Sequence, residues 1–253
     1  MGISRAFIYG DLLIETVAII DGKIRFAPLH FKRLTQGAAV LNFQLPDNWS
    51  LEYFTQLLAT QCPGTNMRAR LITSRSGNGF YVSNTNEVTF HVDYWTLSKP
   101  KTVVNEAGIF TDQLKACTSL SNLKSGNALM HVLASQHAAA MGWDEALVLN
   151  TNKRIAEATS SNVFWIKNGV IHTTPLSEAP VAGVMREALI AHLQKQGLSV
   201  TENVLDTATL LDADECFFTN SLNPVVSVKK VQSKTYATEL TDVLRKEFIK
   251  ERL

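Results

Sequence analysis

Strand-like and helix-like segments follow one another in this chain without a regular alternation. Two turn signals, Asp21-Gly22 and Asn168-Gly169, each lie between apolar and β-branched stretches, which is typical of antiparallel hairpins. A helical pattern over 183–196 is followed by Gly197, a favoured residue just after a helix. A doubly wound parallel sheet requires repeated strand–helix units, so this irregular order predicts an α+β fold.

A short polar stretch, Ser98-Lys99-Pro100-Lys101, is typical of a linker between two domains. Before it, the sequence predicts a hairpin over 6–27, a helix that starts at Pro28, a helix over 51–60 with Ser50 as N-cap, and strands near 67–74 and 87–97. After it, the sequence predicts a strand near 103–111 and a helix over 125–141, and further strands and helices follow. We therefore expect a smaller N-terminal α+β domain over 1–98 and a larger C-terminal α+β domain over 103–253, which carries Lys124.

Composition excludes several classes of partner. The formal net charge of the 253 residues is only +1, whereas binding to nucleic acid or to an anionic membrane surface requires a basic stripe. Three cysteines, Cys62, Cys117 and Cys216, show neither disulfide nor metal-ligand spacing, which favours a reduced, cytoplasmic protein without a metal site. Neither a signal peptide nor an apolar run of membrane-spanning length is expected.

Residues 121–165 contain the groups of greatest chemical interest. Lys124 lies at a predicted loop-to-helix junction, and Glu157 follows 33 positions later at a predicted strand. An amine and a carboxylate kept apart by a helix and a strand are what an aldehyde cofactor requires. Most charged side chains are nevertheless solvated, so Lys124, Glu157 and Arg33 are each also compatible with an ordinary protein surface.

A series of short motifs, spread over nearly the whole chain, carries more information than any of these residues alone. The motifs are Tyr9-Gly10-Asp11, Glu15-Thr16, Asp21-Gly22-Lys23, His30-Phe31-Lys32-Arg33-Leu34, Arg68-Ala69-Arg70, Leu123-Lys124-Ser125, Asp144-Glu145-Ala146-Leu147, Glu157, Asn162-Val163-Phe164, Thr174-Pro175, Gly183-Val184-Met185-Arg186 and Thr219-Asn220-Ser221-Leu222. In this order they resemble the class IV aminotransferases, the fold-type IV pyridoxal phosphate enzymes. The resemblance implies the two-domain fold of that family, pyridoxal 5′-phosphate as cofactor, and a homodimer.

The resemblance also implies roles for individual residues. Lys124 takes the place of the amine that forms a Schiff base with the cofactor aldehyde. Glu157 takes the place of the acid that contacts the pyridine nitrogen.

The cofactor phosphate requires a cation and several hydrogen-bond donors. The resemblance assigns Arg33 as the cation, whose planar fork suits phosphate oxygens. It assigns the backbone amides of Val184 and Met185, at a predicted helix N-terminus, and the Ser221 hydroxyl as further donors.

Two reactions within the family remain open, and both act on a small molecule. The motifs Gly183-Val184-Met185-Arg186 and Asn220-Ser221-Leu222-Asn223-Pro224-Val225 favour 4-amino-4-deoxychorismate lyase, which makes 4-aminobenzoate for folate synthesis. The alternative is an aminotransferase for branched-chain or D-amino acids, and a binding module without catalysis is a more distant one. Candidate substrate contacts are Thr16, Arg68, Arg70 and Lys115.

One position departs from the family pattern. Family members commonly have an aromatic or basic residue four or five places after the lysine, where it contacts the cofactor or the substrate. Ala128 stands there in this chain, so we expect no phenol at that position.

Overall fold

The computed structural model describes residues 4–252 and confirms the predicted α+β class. The chain divides into two compact units. Residues up to Lys99, together with Leu123–Asn127, form the first unit, and Pro100–Asn122, together with the chain from Ala128 onward, form the second. Within residues 4–252, no helix has the length and apolar character needed to cross a membrane.

From Ser4 onward, the first unit consists of one antiparallel sheet and three helices. Its elements are α1 (Arg5–Tyr9), β1 (Leu12–Ile20), β2 (Lys23–Ile24), α2 (Ala27–Val40), α3 (Leu51–Ala59), β3 (Met67–Arg75) and β4 (Val88–Thr96). The strand order is β2-β1-β3-β4. Leu34 of α2 and Phe54 and Leu58 of α3 are buried in one core with residues of β1 and β3, which fixes α2 near β1.

Local sequence signals explain several boundaries in this unit. Asp21 and Gly22 both have positive φ and join β1 to β2, which confirms the predicted hairpin turn. The Ser50 hydroxyl accepts a hydrogen bond from the Tyr53 amide and caps α3, as predicted. The predicted hairpin over 6–27 is wrong at its start, because Ser4 caps a short helix that ends at Gly10 in a left-handed conformation.

Among the residues that the structure describes, the second unit contains two sheets, four α-helices and a short 3₁₀ helix (Leu176–Glu178). Its elements are β5 (Val103–Val104), β6 (Ala107–Lys115), α4 (Leu129–Met141), β7 (Glu145–Asn150), β8 (Ile155–Ala158), β9 (Asn162–Lys167), β10 (Val170–Thr173), α5 (Val184–Lys195), β11 (Val200–Glu202), α6 (Thr207–Asp212), β12 (Glu215–Thr219), β13 (Val226–Val228), β14 (Lys230–Val231), β15 (Lys234–Thr235) and α7 (Glu239–Arg252). The six-stranded sheet has the order β11-β10-β9-β12-β13-β5, and the five-stranded sheet has the order β15-β14-β6-β7-β8. Phe164 and Phe217, on neighbouring strands β9 and β12, stack with their centroids 5.0 Å apart in the core.

The segment around Lys124 differs from its prediction. The helix predicted over 125–141 starts only at Leu129, because the preceding residues pair with β1 instead. The Ile14 amide donates to the Lys124 carbonyl at 2.8 Å, and the Gly126 amide donates to the Leu12 carbonyl at 3.1 Å. This pairing places Lys124 in the first unit, although the sequence-based division put it in the C-terminal domain.

Candidate active site

Lys124 lies in a small cavity of the first unit that is also lined by Glu15 and Arg33. Arg33 directs its planar fork at Glu15, with Nε 2.8 Å from Oε1 and one terminal nitrogen 2.6 Å from Oε2. His30 lies three residues before Arg33 on α2, and its Nδ1 is 2.5 Å from Glu15 Oε2. Residues three apart on a helix share a face, so α2 presents both side chains to β1.

Burial and the contacts among Glu15, Arg33 and His30 set the protonation states of Glu15 and His30 in this cavity. Burial alone would raise the pKa of Glu15, but the charge of Arg33 and the contacts with His30 outweigh it and lower the pKa from 4.5 to about 2. Burial also lowers the pKa of His30, beyond what its contacts with Glu15 restore. His30 is therefore neutral at pH 7, and its short contact with the carboxylate requires the proton on Nδ1.

Glu157 lies in a second polar cluster, within the second unit. It is buried on β8, and three donors converge on its carboxylate. Lys115 Nζ, at the end of β6, lies 2.5 Å from Oε1, and His131 Nε2, on α4, lies 3.0 Å from the same oxygen. The Val181 amide donates to Oε2 at 2.8 Å.

These donors keep Glu157 ionised. Burial alone would raise the pKa of the Glu157 carboxyl, but the hydrogen bond from His131 and the charge of Lys115 outweigh burial and hold the pKa below its ordinary value. A carboxylate has about four acceptor positions, and the described contacts fill three of them. One position is left for a further donor, such as a protonated ring nitrogen.

The helix that begins at Val184 presents a candidate anion site. Gly183 is the N-cap of α5, and no side chain caps this end. The first amides of a helix have no intrahelical acceptor and favour a bound anion. Asn162 Nδ2 donates to the Val181 carbonyl at 2.8 Å, and a Cβ on Gly183 would lie only 1.9 Å from Asn162 Oδ1. Close packing against Asn162 therefore requires glycine at the N-cap.

Ser221 lies in a turn after β12 that Asn220 stabilises. Asn220 Oδ1 accepts hydrogen bonds from the amides of Leu222 and Asn223, at 3.0 and 2.8 Å. Asn220 Nδ2 donates to Ser161 Oγ at 3.0 Å. Ser221 is half-buried in this turn.

The candidate substrate residues fall into two places. Thr16 and Arg70 are register partners on β1 and β3, and Arg68 shares the face of Arg70. Because strand side chains alternate, this face is opposite the one that carries Glu15. Arg68 and Arg70 both lie over the Trp95 ring, at 5.3 and 4.8 Å from its centroid.

Lys115 lies in the second unit, where its ammonium group contacts Glu157. The roles of all four residues toward a substrate stay predictions.

Sequence reasoning gave no role to three residues of these clusters: Glu15, His30 and His131. Glu15 and His30 stand in motifs that carry the family resemblance, and the three-residue spacing of His30 and Arg33 indicates a shared face. His131 had no such signal, because nothing local indicates that α4 directs it at β8.

Comparisons with known proteins show which family and fold this chain resembles. The family model described as "Amino-transferase class IV" matches residues 12–231. The chain is 25% identical over 236 residues to the aminodeoxychorismate lyase of Vibrio harveyi, covering 90% of this chain and 86% of the relative. It is 34% identical over 110 residues to the branched-chain-amino-acid aminotransferase of Escherichia coli K12, covering 42% of this chain and 36% of that protein. The crystal structure of 4-amino-4-deoxychorismate lyase from Pseudomonas aeruginosa superposes with a TM-score of 0.85 at 25% identity, covering 99% of this chain and 96% of that one.

Proposed function

The chain belongs to the class IV aminotransferases, a family of pyridoxal phosphate enzymes, and we propose that it is a 4-amino-4-deoxychorismate lyase. The proposed reaction releases pyruvate and leaves 4-aminobenzoate, a folate precursor. The observation that carries this choice is that the chain covers 96% of the Pseudomonas aeruginosa lyase, against 86–88% of the branched-chain aminotransferase structures that it also resembles.

The residues present suit the cofactor. Bound pyridoxal phosphate supplies an aldehyde that reacts with amines and a ring that withdraws electrons. Lys124 offers the amine that holds the aldehyde, and it shares a cavity with the cation of Arg33. Glu157 is held ionised, with an acceptor position left for the ring nitrogen.

The proposed phosphate-binding site combines a positive charge with backbone hydrogen-bond donors. Glu15 orients the Arg33 guanidinium, which has five donors, two of them directed at Glu15. We assign Arg33 to the phosphate as its cation. The amides of Val184 and Met185 at the start of α5 and the Ser221 hydroxyl complete the proposed set.

Lys124 also carries the proton transfer in the proposed mechanism. With the cofactor bound, Lys124 would hold its aldehyde, and Nζ would be the group that takes a proton from the reacting carbon.

Incubation with 4-amino-4-deoxychorismate tests the proposal directly. We expect pyruvate and 4-aminobenzoate in equal amounts from the wild type and neither product from Lys124→Ala. Borohydride should attach the cofactor covalently to Lys124, which peptide mass spectrometry can locate. A protein that releases no pyruvate, yet forms glutamate from an amino acid and 2-oxoglutarate, would overturn the lyase assignment.

The second candidate is an aminotransferase for branched-chain or D-amino acids. The observation in its favour is the higher local identity to the Escherichia coli branched-chain enzyme. Glutamate formation without pyruvate release distinguishes it. A protein that binds no pyridoxal phosphate would instead support a module without catalysis.

We further propose a cytoplasmic homodimer. Large apolar side chains on both units support a partner copy, because a monomer rarely exposes contiguous apolar surface. Phe80, Tyr81 and Val82 are 85, 88 and 85% exposed in the first unit, and Leu129 is 71% exposed at the start of α4.

A further inference from the structure

A buried cation already balances the charge of Glu157. The side chains of Lys115 and Glu157 are only 11 and 4% exposed, and Nζ lies 2.5 Å from Oε1. An acid that pairs only with a ring nitrogen has no need of such a lysine. Its presence therefore changes the net charge that the cofactor's ring nitrogen would contact at Glu157.

The backbone directs Lys115 to this position. β6 pairs in regular parallel register with β7 from Ala107 to Phe110, and the register then shifts before Lys115 reaches Asn150. Such irregularities re-aim a side chain next to a functional site. The Thr151 amide donates to the Lys115 carbonyl at 3.0 Å and anchors the residue beyond the shift.

Two cations that share one buried carboxylate compete for it. An ion pair in a low-dielectric interior is strong, so a carboxylate already paired with an ammonium group gains less from a second cation. A protonated ring nitrogen would be that second cation. His131 and the Val181 amide occupy further acceptor positions and do not remove this competition.

We propose that Lys115 is a positioning residue that compensates the charge of Glu157 and so weakens the protonation of the cofactor's ring nitrogen. The inference rests on the cofactor of the proposed function, and it holds for either reaction. It assigns Lys115 to the ring nitrogen, through Glu157, and not to the substrate.

The test compares two ligands, without any substrate. One is pyridoxal phosphate, and the other is its deaza analogue, in which a C–H group replaces the ring nitrogen. In Lys115→Met, the Glu157 carboxylate has lost its lysine cation. Of the two ligands, only pyridoxal phosphate has a ring nitrogen that can carry a positive charge in its place. We expect the affinity ratio of pyridoxal phosphate to analogue to rise at least about tenfold over the wild type, since a contacting opposite charge shifts a pKa by about 1–3 units.

Two controls separate this effect from loss of structure. Lys115→Arg keeps the charge and should keep the wild-type ratio. Lys230→Met removes a lysine from an exposed ion pair with Glu106 and should leave the ratio unchanged. An unchanged ratio in Lys115→Met, including equal loss of affinity for both ligands, would overturn the proposal.

A second measurement needs no variant. With ¹⁵N in the ring of the bound cofactor, the wild-type nitrogen should give a chemical shift between those of the protonated and the unprotonated forms. A fully protonated nitrogen over the whole pH range in which the protein is folded would overturn the proposal. Failure to release pyruvate would contradict the lyase assignment alone, because neither binding nor the ¹⁵N shift depends on turnover.

Discussion

A buried carboxylate, Glu15, contacts both His30 and Arg33 in the cavity that Lys124 lines. Glu15 is 2% exposed and carries a full charge, which is costly unless its partners are close and well oriented. The paired fork of Arg33 and the Nδ1–H of His30 meet that requirement. In return, Glu15 fixes the plane of the guanidinium group.

Glu15→Gln should make stability less sensitive to acid. The folded-state pKa of Glu15 is lowered from 4.5 to about 2, so its stabilising contribution is complete above pH 4.5 and is lost as the pH falls toward 2. We expect the variant to lose about 2–4 kcal/mol of unfolding free energy at pH 7, and the difference from the wild type to shrink at pH 3. Urea unfolding at the two pH values measures this. A difference that is the same at pH 3 and pH 7 would show that Glu15 is not ionised in the folded state.

Arg33→Ala should weaken binding of the phosphate group specifically. Charge-assisted hydrogen bonds contribute about 1.5–3 kcal/mol, so we expect affinity for pyridoxal phosphate to fall roughly 10- to 150-fold. Pyridoxal, which lacks the phosphate, is the matched ligand control and should bind the variant and the wild type alike. Equilibrium dialysis gives both constants, and an equal loss for the two ligands would argue against a phosphate role.

The sequence predicted several of these residues, but it did not predict the contacts between them. Lys124, Arg33 and Glu157 came from the order of motifs, because each is compatible with a solvated surface when considered alone. The pairing of Glu15 with Arg33 depends on how α2 packs on β1, and no local pattern encodes that distance. The contact between Lys115 and Glu157 depends on a register shift in β6 and was equally invisible.

At the scale of elements, α4 starts later than the sequence predicts, because the residues before it form hydrogen bonds with a distant strand. The residues before Leu129 satisfy their backbone groups on β1, more than a hundred positions earlier in the chain. Local helical periodicity cannot anticipate such a partner. Turn and cap signals were more reliable because their physical causes are local, as at Asp21-Gly22 and Ser50.

The segment before α5 offers a prediction about this element. Gly183 has an ordinary φ of −72°, so Gly183→Ala is disfavoured by space and not by backbone strain. The new Cβ would displace Asn162, which is 6% exposed, and break its hydrogen bond to the Val181 carbonyl. We expect a loss of about 1–3 kcal/mol in unfolding free energy. We also expect the affinity for pyridoxal phosphate to fall more than the affinity for pyridoxal.

Shortening Asn162 provides the control for this steric argument. Adding Asn162→Ser to Gly183→Ala removes the clash and should recover part of the lost stability in urea unfolding. A single Gly183→Ala variant as stable as the wild type would show that the close packing is not required.

At the scale of the whole molecule, α4 indicates where a second copy would bind. The helix contains no Asp, Glu, Lys or Arg, yet Leu129 and Val132 on its surface are 71 and 49% exposed. Depletion of charge with exposed apolar side chains is typical of the centre of an interface. By contrast, α7 exposes Leu240 and Val243 among many charged residues.

Substituting the α4 residues should therefore dissociate the proposed homodimer. In a twofold interface each substitution acts twice, and burying one such side chain contributes about 1.5–3 kcal/mol. We expect Leu129→Gln with Val132→Gln to raise the dimer dissociation constant by at least about a hundredfold, measured by sedimentation equilibrium. Leu240→Gln with Val243→Gln has the same residue types and spacing, and should leave the constant unchanged. A wild type that stays monomeric at high concentration would contradict the homodimer, and equal effects of the two pairs would place the interface elsewhere than on α4.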